Sequence, residues 1–96
     1  MIRYYVCGLG YDENDEAIDY EVGFGDFDTL EEAYELFEEL ANRSDESFFV
    51  DAPNVYEIEV RLEECEETED LIECIDVKDE FGVTNPNYRE EENYEI

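Results

Sequence analysis

Residues 29–42 read TLEEAYELFEELAN. Leu30, Ala33, Tyr34, Phe37, Leu40 and Ala41 fall at i, i+3, i+4, i+7, i+10 and i+11, which is one apolar face of an α-helix. Glu31, Glu32, Glu35, Glu38 and Glu39 occupy the other side, and no basic residue interrupts them before Arg43. Thr29 with Glu32 forms a capping-box pattern, and Asp28 with Glu31 offers a second register. The acidic first turn suits the helix dipole, whereas the acids of the last turn oppose it. A helix built this way closes a core with one face and presents a wall of carboxylates with the other.

The flanking segments supply the surface that the apolar face needs. Upstream, Ile18, Tyr20, Val22 and Phe24 alternate with Asp19, Glu21 and Gly23, the period of a half-buried strand. Residues 2–11 are rich in Tyr, Val and Leu and read as another strand, with Gly8 and Gly10 marking a bulge or a close approach. The DENDE segment at 12–16 is the turn that joins these two strands into a hairpin. Downstream, residues 42–46 end the helix, Phe48, Phe49 and Val50 cover a core edge, and Pro53-Asn54 marks a turn. Residues 55–63 form the clearest strand, with Tyr56, Ile58, Val60 and Leu62 alternating with Glu57, Glu59, Arg61 and Glu63. The ECEETED segment at 64–70 reads as an acidic loop and residues 71–77 as a fourth strand, with a short helix at 68–75 as the competing reading. The order is β-β-α-β-β. It defines an α+β fold, a four-stranded antiparallel sheet made of two hairpins with one amphipathic helix packed on one face. Residues 1–81 form a single compact domain, and residues 82–96, with Pro86 and a Glu-rich end, form an acidic, loosely ordered tail.

Charge dominates the composition. Thirty-two Asp and Glu face five Lys and Arg among 96 residues, a formal net charge of −27. A net charge of about 2 to 8 already keeps a small domain soluble, so solubility does not account for the excess. The apolar fraction of 43% and the aromatic fraction of 15% separate the chain from disordered acidic sequences, which lack the residues to build a core. No stretch is long and apolar enough to span a membrane, and the N-terminal residues lack the basic and apolar regions of a signal peptide. A polyanion is also repelled by an anionic membrane surface. A cytoplasmic location is therefore expected.

Catalytic and metal chemistry find little support in the sequence. With no His, neither a Ser-His nor a Cys-His pair exists, and paired carboxylates discriminate nothing among 32 acids. The chain is expected not to be an enzyme and to need no cofactor. Asp12 and Asn14 open like a calcium-binding EF-hand loop, but Ala17 stands at its sixth position and Gly23 at its twelfth. Cys7, Cys65 and Cys74 are odd in number and widely spaced, so reduced thiols in a cytosol are expected, with Cys7 and Cys74 the candidates for burial. A Cys65–Cys74 bridge across a hairpin is geometrically possible. Scattered cysteines without His argue against a zinc site.

The acids themselves are the candidate functional residues. Strand acids at alternate positions, such as Glu57 and Glu59, stand about 6.6–6.8 Å apart, and helix acids at i, i+3 and i+4 about 5–6 Å apart at Cβ. A DNA strand carries one charge per roughly 3.4 Å. A carboxylate array on a rigid body thus presents a phosphate-like field to a basic groove and gains long-range steering. The three densest clusters are Glu31, Glu35, Glu38 and Glu39 in the helix, Glu63, Glu64, Glu66, Glu67, Glu69 and Asp70 in the acidic loop, and Asp12, Glu13, Asp15 and Glu16 in the first turn.

In length and composition (small, very acidic, aromatic, α+β, without His chemistry) the chain resembles the phage-encoded DNA-mimic inhibitors, a group that includes anti-CRISPR and anti-restriction proteins. The resemblance is compositional and assigns no residue a role. It implies an inhibitor acting in the cytoplasm of an infected bacterium, and the repulsion between two bodies of −27 charge makes a monomer the expectation. The partner it implies is a basic protein, a nucleic-acid-binding nuclease such as a CRISPR effector whose DNA site it occupies, with no direct binding of nucleic acid by the inhibitor. Two other expectations share the electrostatics: an acidic chaperone or antitoxin-like binder of a basic protein, and a generic acidic domain of a halophile.

Overall fold

A computed structural model of the chain describes residues 1–88. Strand β1 spans Ile2–Tyr11, β2 Ala17–Phe27, helix α1 Leu30–Ala41, β3 Glu57–Glu67 and β4 Ile72–Thr84, and a 3-10 turn at Asp45–Phe49 lies between α1 and β3. The strands form one antiparallel sheet in the order β2-β1-β3-β4. The α+β architecture expected from the periodicities is the one observed.

The helix begins where the capping box places it. Thr29 Oγ1 accepts from the Glu32 backbone N–H at 3.2 Å, and its hydroxyl donates to Glu32 Oε1 at 3.2 Å. Asn42 closes the other end, its backbone N–H bonded to the carbonyls of Glu38 and Glu39. Ala33, Phe37 and Leu40 are buried against Val6 of β1, Ile58, Val60 and Leu62 of β3, and Val83 of β4. Burying side chains of this size contributes roughly 1.5–3 kcal/mol each. Phe48 and Phe49 of the 3-10 turn complete the core, and Phe81 packs edge-on against both Phe37 and Phe48, at 5.2 and 6.5 Å between ring centres. Gly8 sits where β1 passes under this cluster. A Cβ there would lie 3.0 Å from Ile58 Cγ2 and 3.1 Å from Val22 Cγ1, tighter than normal packing accepts, so close approach explains the glycine.

Four sequence expectations are corrected. The segment at 64–67 is strand rather than loop: β3 runs on to Glu67, and the connection shrinks to residues 68–71. Strand β4 does not stop at Val77 but continues to Thr84, passing through bulges at Ile75 and Lys78 that break its alternation. Residues 82–88 belong to the folded body, since Val83 is buried in the core and the buried Asn85 is bonded into it. Residues 89–96, including Tyr94, lie outside the described residues. Val50 is 74% exposed rather than covering the core.

The long strands also change the shape. The radius of gyration is 15.0 Å and the principal extents are 54 × 29 × 19 Å, against roughly 12–13 Å for a compact domain of this length. The helix covers only part of the sheet. Leu71, Ile72, Ile75 and Val77, at the end of the β3–β4 hairpin, remain exposed.

Candidate partner-binding surface

The three acidic clusters occupy three separate places. Tyr11 of β1 pairs with Glu57 of β3, and Ile2 with Glu66. The 12–16 turn therefore lies at one end of the sheet and the 68–71 connection at the other, with the helix cluster on the face between them.

The four β3 glutamates of the sheet cluster each have a cation of the same chain beside them. Glu63 lies 3.6 Å from Arg61 Nη1, Glu64 3.3 Å from Lys78 Nζ, and Glu66 2.9 Å from the N-terminal ammonium. Glu67 lies 3.3 Å from Arg3 Nε, and Arg3 also pairs with Asp26 and Asp28. All four of these glutamates are half-buried, which leaves Glu69 and Asp70 as the exposed acids of that group. The hydrogen bond that Arg3 donates to the Asp26 carboxylate is the main reason its guanidinium is held above its ordinary pKa. Arg61 lies among Glu59, Glu63 and Glu80. Three of the chain's five basic side chains thus serve the sheet.

The first turn is mixed in role. Asp12 Oδ1 accepts from the backbone N–H groups of Asn14 at 2.8 Å and Glu16 at 2.9 Å, so this carboxylate shapes the turn. Asp15 has φ 67°, the left-handed conformation that Asp tolerates better than most residues. Glu13, Asp15 and Glu16 are exposed.

The helix differs from both. Glu31, Glu35, Glu38 and Glu39 are exposed, and among the described residues none of them has an ion-pair partner. Arg43, the nearest base in sequence, places its guanidinium 5.9 Å from the Phe48 ring centre. Like charges at i, i+4 destabilise a helix by about 0.2–0.5 kcal/mol per pair, and Glu31–Glu35 and Glu35–Glu39 are such pairs. From Glu31 to Glu39 the axis rises about 12 Å, a length over which a DNA strand carries three to four phosphates at roughly 3.4 Å each. The row is rigid, anionic, unneutralised and close to phosphate spacing.

The cysteines meet across the hairpin as the sequence allowed, but their burial differs from the expectation. Cys65 is the buried one and Cys74 is exposed, the reverse of the expectation for Cys74, and Cys7 is half-buried. Cys65 stands directly opposite Cys74 on the β3–β4 ladder. Residues far apart in the chain thus share one place on the face opposite the helix, and only the nine-residue spacing across a turn hinted at it. The exposure of the apolar residues of β4 was not expected either, since residues 71–77 were read as a strand with no statement of which side is covered.

Comparison with protein-family models, curated proteins and solved structures finds no match to this chain. No described helix is long and apolar enough to cross a membrane.

Proposed function

We propose that this protein is a cytoplasmic inhibitor that presents nucleic-acid-like charge to a basic protein and blocks the DNA-binding site of a host defence nuclease such as a CRISPR effector. The observation that carries the reading is the contrast in neutralisation. Cations inside the fold pair with the acids of the sheet and leave the row on α1 facing solvent. An array that lowers helix stability and serves no contact within the described fold fits a surface kept for a cationic groove, where steering and the release of counterions drive association. Glu31, Glu35, Glu38 and Glu39 are the contact residues on this reading. Glu13, Asp15, Glu16, Glu69 and Asp70 form outlying anionic ends, and Glu63, Glu64, Glu66 and Glu67 act within the fold.

The test is capture from a bacterial lysate with the protein as bait, followed by elution with duplex DNA. A nuclease or other DNA-binding protein, released by the duplex and not captured by a bait carrying Glu31→Gln, Glu35→Gln, Glu38→Gln and Glu39→Gln, supports the reading. A partner that ignores DNA and binds the variant equally well overturns it.

The exposed β4 edge favours a second reading. Ile72, Ile75 and Val77 lie on an edge strand, paired with β3 on one side and with no strand beside it on the other among the described residues, and a partner's strand can add to that side. An acidic chaperone or antitoxin-like module would use that edge, and Ile75→Lys would then abolish capture while the helix variant retained it.

A further inference from the structure

On the sheet face opposite α1, a carboxylate oxygen of Glu63 and the sulfurs of Cys65 and Cys74 all lie within 4.8 Å of one another. They border an open groove of about 500 Å³ whose walls also include Tyr5, Cys7 and Glu21. The fold produces this meeting in two ways. Cys65 and Cys74 are directly opposed on the ladder, and Glu63, two residues along β3, points to the same face. The bulge at Ile75 keeps Cys74 on that face while Asp76 pairs with Glu64.

We propose that Glu63, Cys65 and Cys74 bind a thiophilic divalent cation, Zn²⁺ being the physiological candidate, with three protein ligands and one position left to water. Zn²⁺ sits about 2.3 Å from thiolate sulfur and about 2.0–2.2 Å from carboxylate oxygen, so two sulfurs of a tetrahedral site stand about 3.8 Å apart. The three donor atoms therefore need to close by only about an ångström. The −27 charge concentrates every cation near the protein, but Mg²⁺ and Ca²⁺ prefer oxygen donors, and the two thiols select for a softer ion. Both thiols give up their protons on binding, so the affinity rises with pH. The ion ties edge strand β4 to β3 in the part of the sheet that the helix does not cover. Oxidation of the two cysteines to a disulfide would remove both thiolate donors, so the site belongs to the reduced protein.

The test is anaerobic titration of fully reduced protein with Co²⁺ under excess Mg²⁺, followed by displacement with Zn²⁺. A sulfur-to-cobalt charge-transfer band is expected, saturating at one equivalent, lost on adding Zn²⁺, and unaffected by Glu38→Gln on the helix. Cys74 is exposed, so Cys74→Ser keeps the fold, and it should remove the band and weaken Zn²⁺ binding at least about tenfold. The absence of the band, or a Cys74→Ser protein that binds Zn²⁺ as the parent does, overturns the proposal and leaves only diffuse attraction by carboxylates.

Discussion

Asn85 ties the segment that follows β4 to residues 53–55, just ahead of β3. Its Nδ2 donates to the Pro53 carbonyl at 3.1 Å and the Val55 carbonyl at 2.9 Å, and its Oδ1 accepts from the Asn87 N–H at 2.9 Å. It is 5% exposed, so water cannot replace these bonds. Asn85→Ala should lower stability by about 1–3 kcal/mol, read as a shift of the urea midpoint with an unchanged slope. Cys7 makes a second prediction at this scale. Burial first, then Glu63 and Glu21, push its thiol up from an ordinary 9.0 to about 12. The unfolded chain releases this proton first, so stability present below pH 9.0 is lost as pH rises towards 12. In chelator-treated protein the urea midpoint should fall across that window, and Cys7→Ser should flatten the fall. The burial of Cys7 was expected from the sequence, but the role of Asn85 was not legible there. Asn85 lay in a presumed tail, and its partners lie 30 and 32 positions away. Cys7 owes its shift first to burial and then to Glu63 and Glu21 on the two neighbouring strands, which the sequence could not place beside it.

The helix was legible because its signal is local. A 3.6-residue period, a cap and an acidic outer face lie in one window, and the cap formed with Thr29 as expected. The first half of β3 was legible for the same reason at period two. Its second half was not, because Glu63-Glu64-Cys65-Glu66-Glu67 shows no apolar alternation. It is held as strand by its ladders to β1 and β4, and its acids pair with Arg61, Lys78, Arg3 and the N-terminal ammonium, all four of which lie outside the segment. Two bulges hid the second half of β4 by breaking the period at Ile75 and Lys78. The same locality applies to the candidate site: the helix acids could be named from the sequence, but whether an acid was already neutralised could not. The proposed role of α1 makes an element-level prediction. Glu39 lies in the last turn, where a negative charge opposes the helix dipole, and no basic residue occupies that turn. Glu39→Lys should raise stability by about 0.3–1 kcal/mol, seen in thermal melts, while weakening partner capture. A variant that gains stability and loses binding separates the charge kept for a partner from the charge the fold needs.

Across the whole molecule, −27 charges are spread over a body 54 Å long, and the elongation relieves part of the repulsion that a sphere would concentrate. The remainder is screened by salt. The Debye length falls from about 30 Å at 0.01 M to about 8 Å at 0.15 M ionic strength, so the melting temperature should rise across that range, by about 4–8 °C for each kcal/mol relieved. A flat response would mean that ion pairs already balance the surface. The central claim is that the unpaired row on α1 is the partner-binding surface. Its most direct test is the affinity of the captured partner, measured against salt for the parent protein and for the variant with Gln at positions 31, 35, 38 and 39. Four exposed pairs at about 0.2–1 kcal/mol each predict binding about fourfold to a thousandfold weaker at low salt, together with a shallower dependence on salt. Equal affinity and an equal salt slope for the two proteins would contradict the claim and move the contact to the β4 edge or the ends of the sheet.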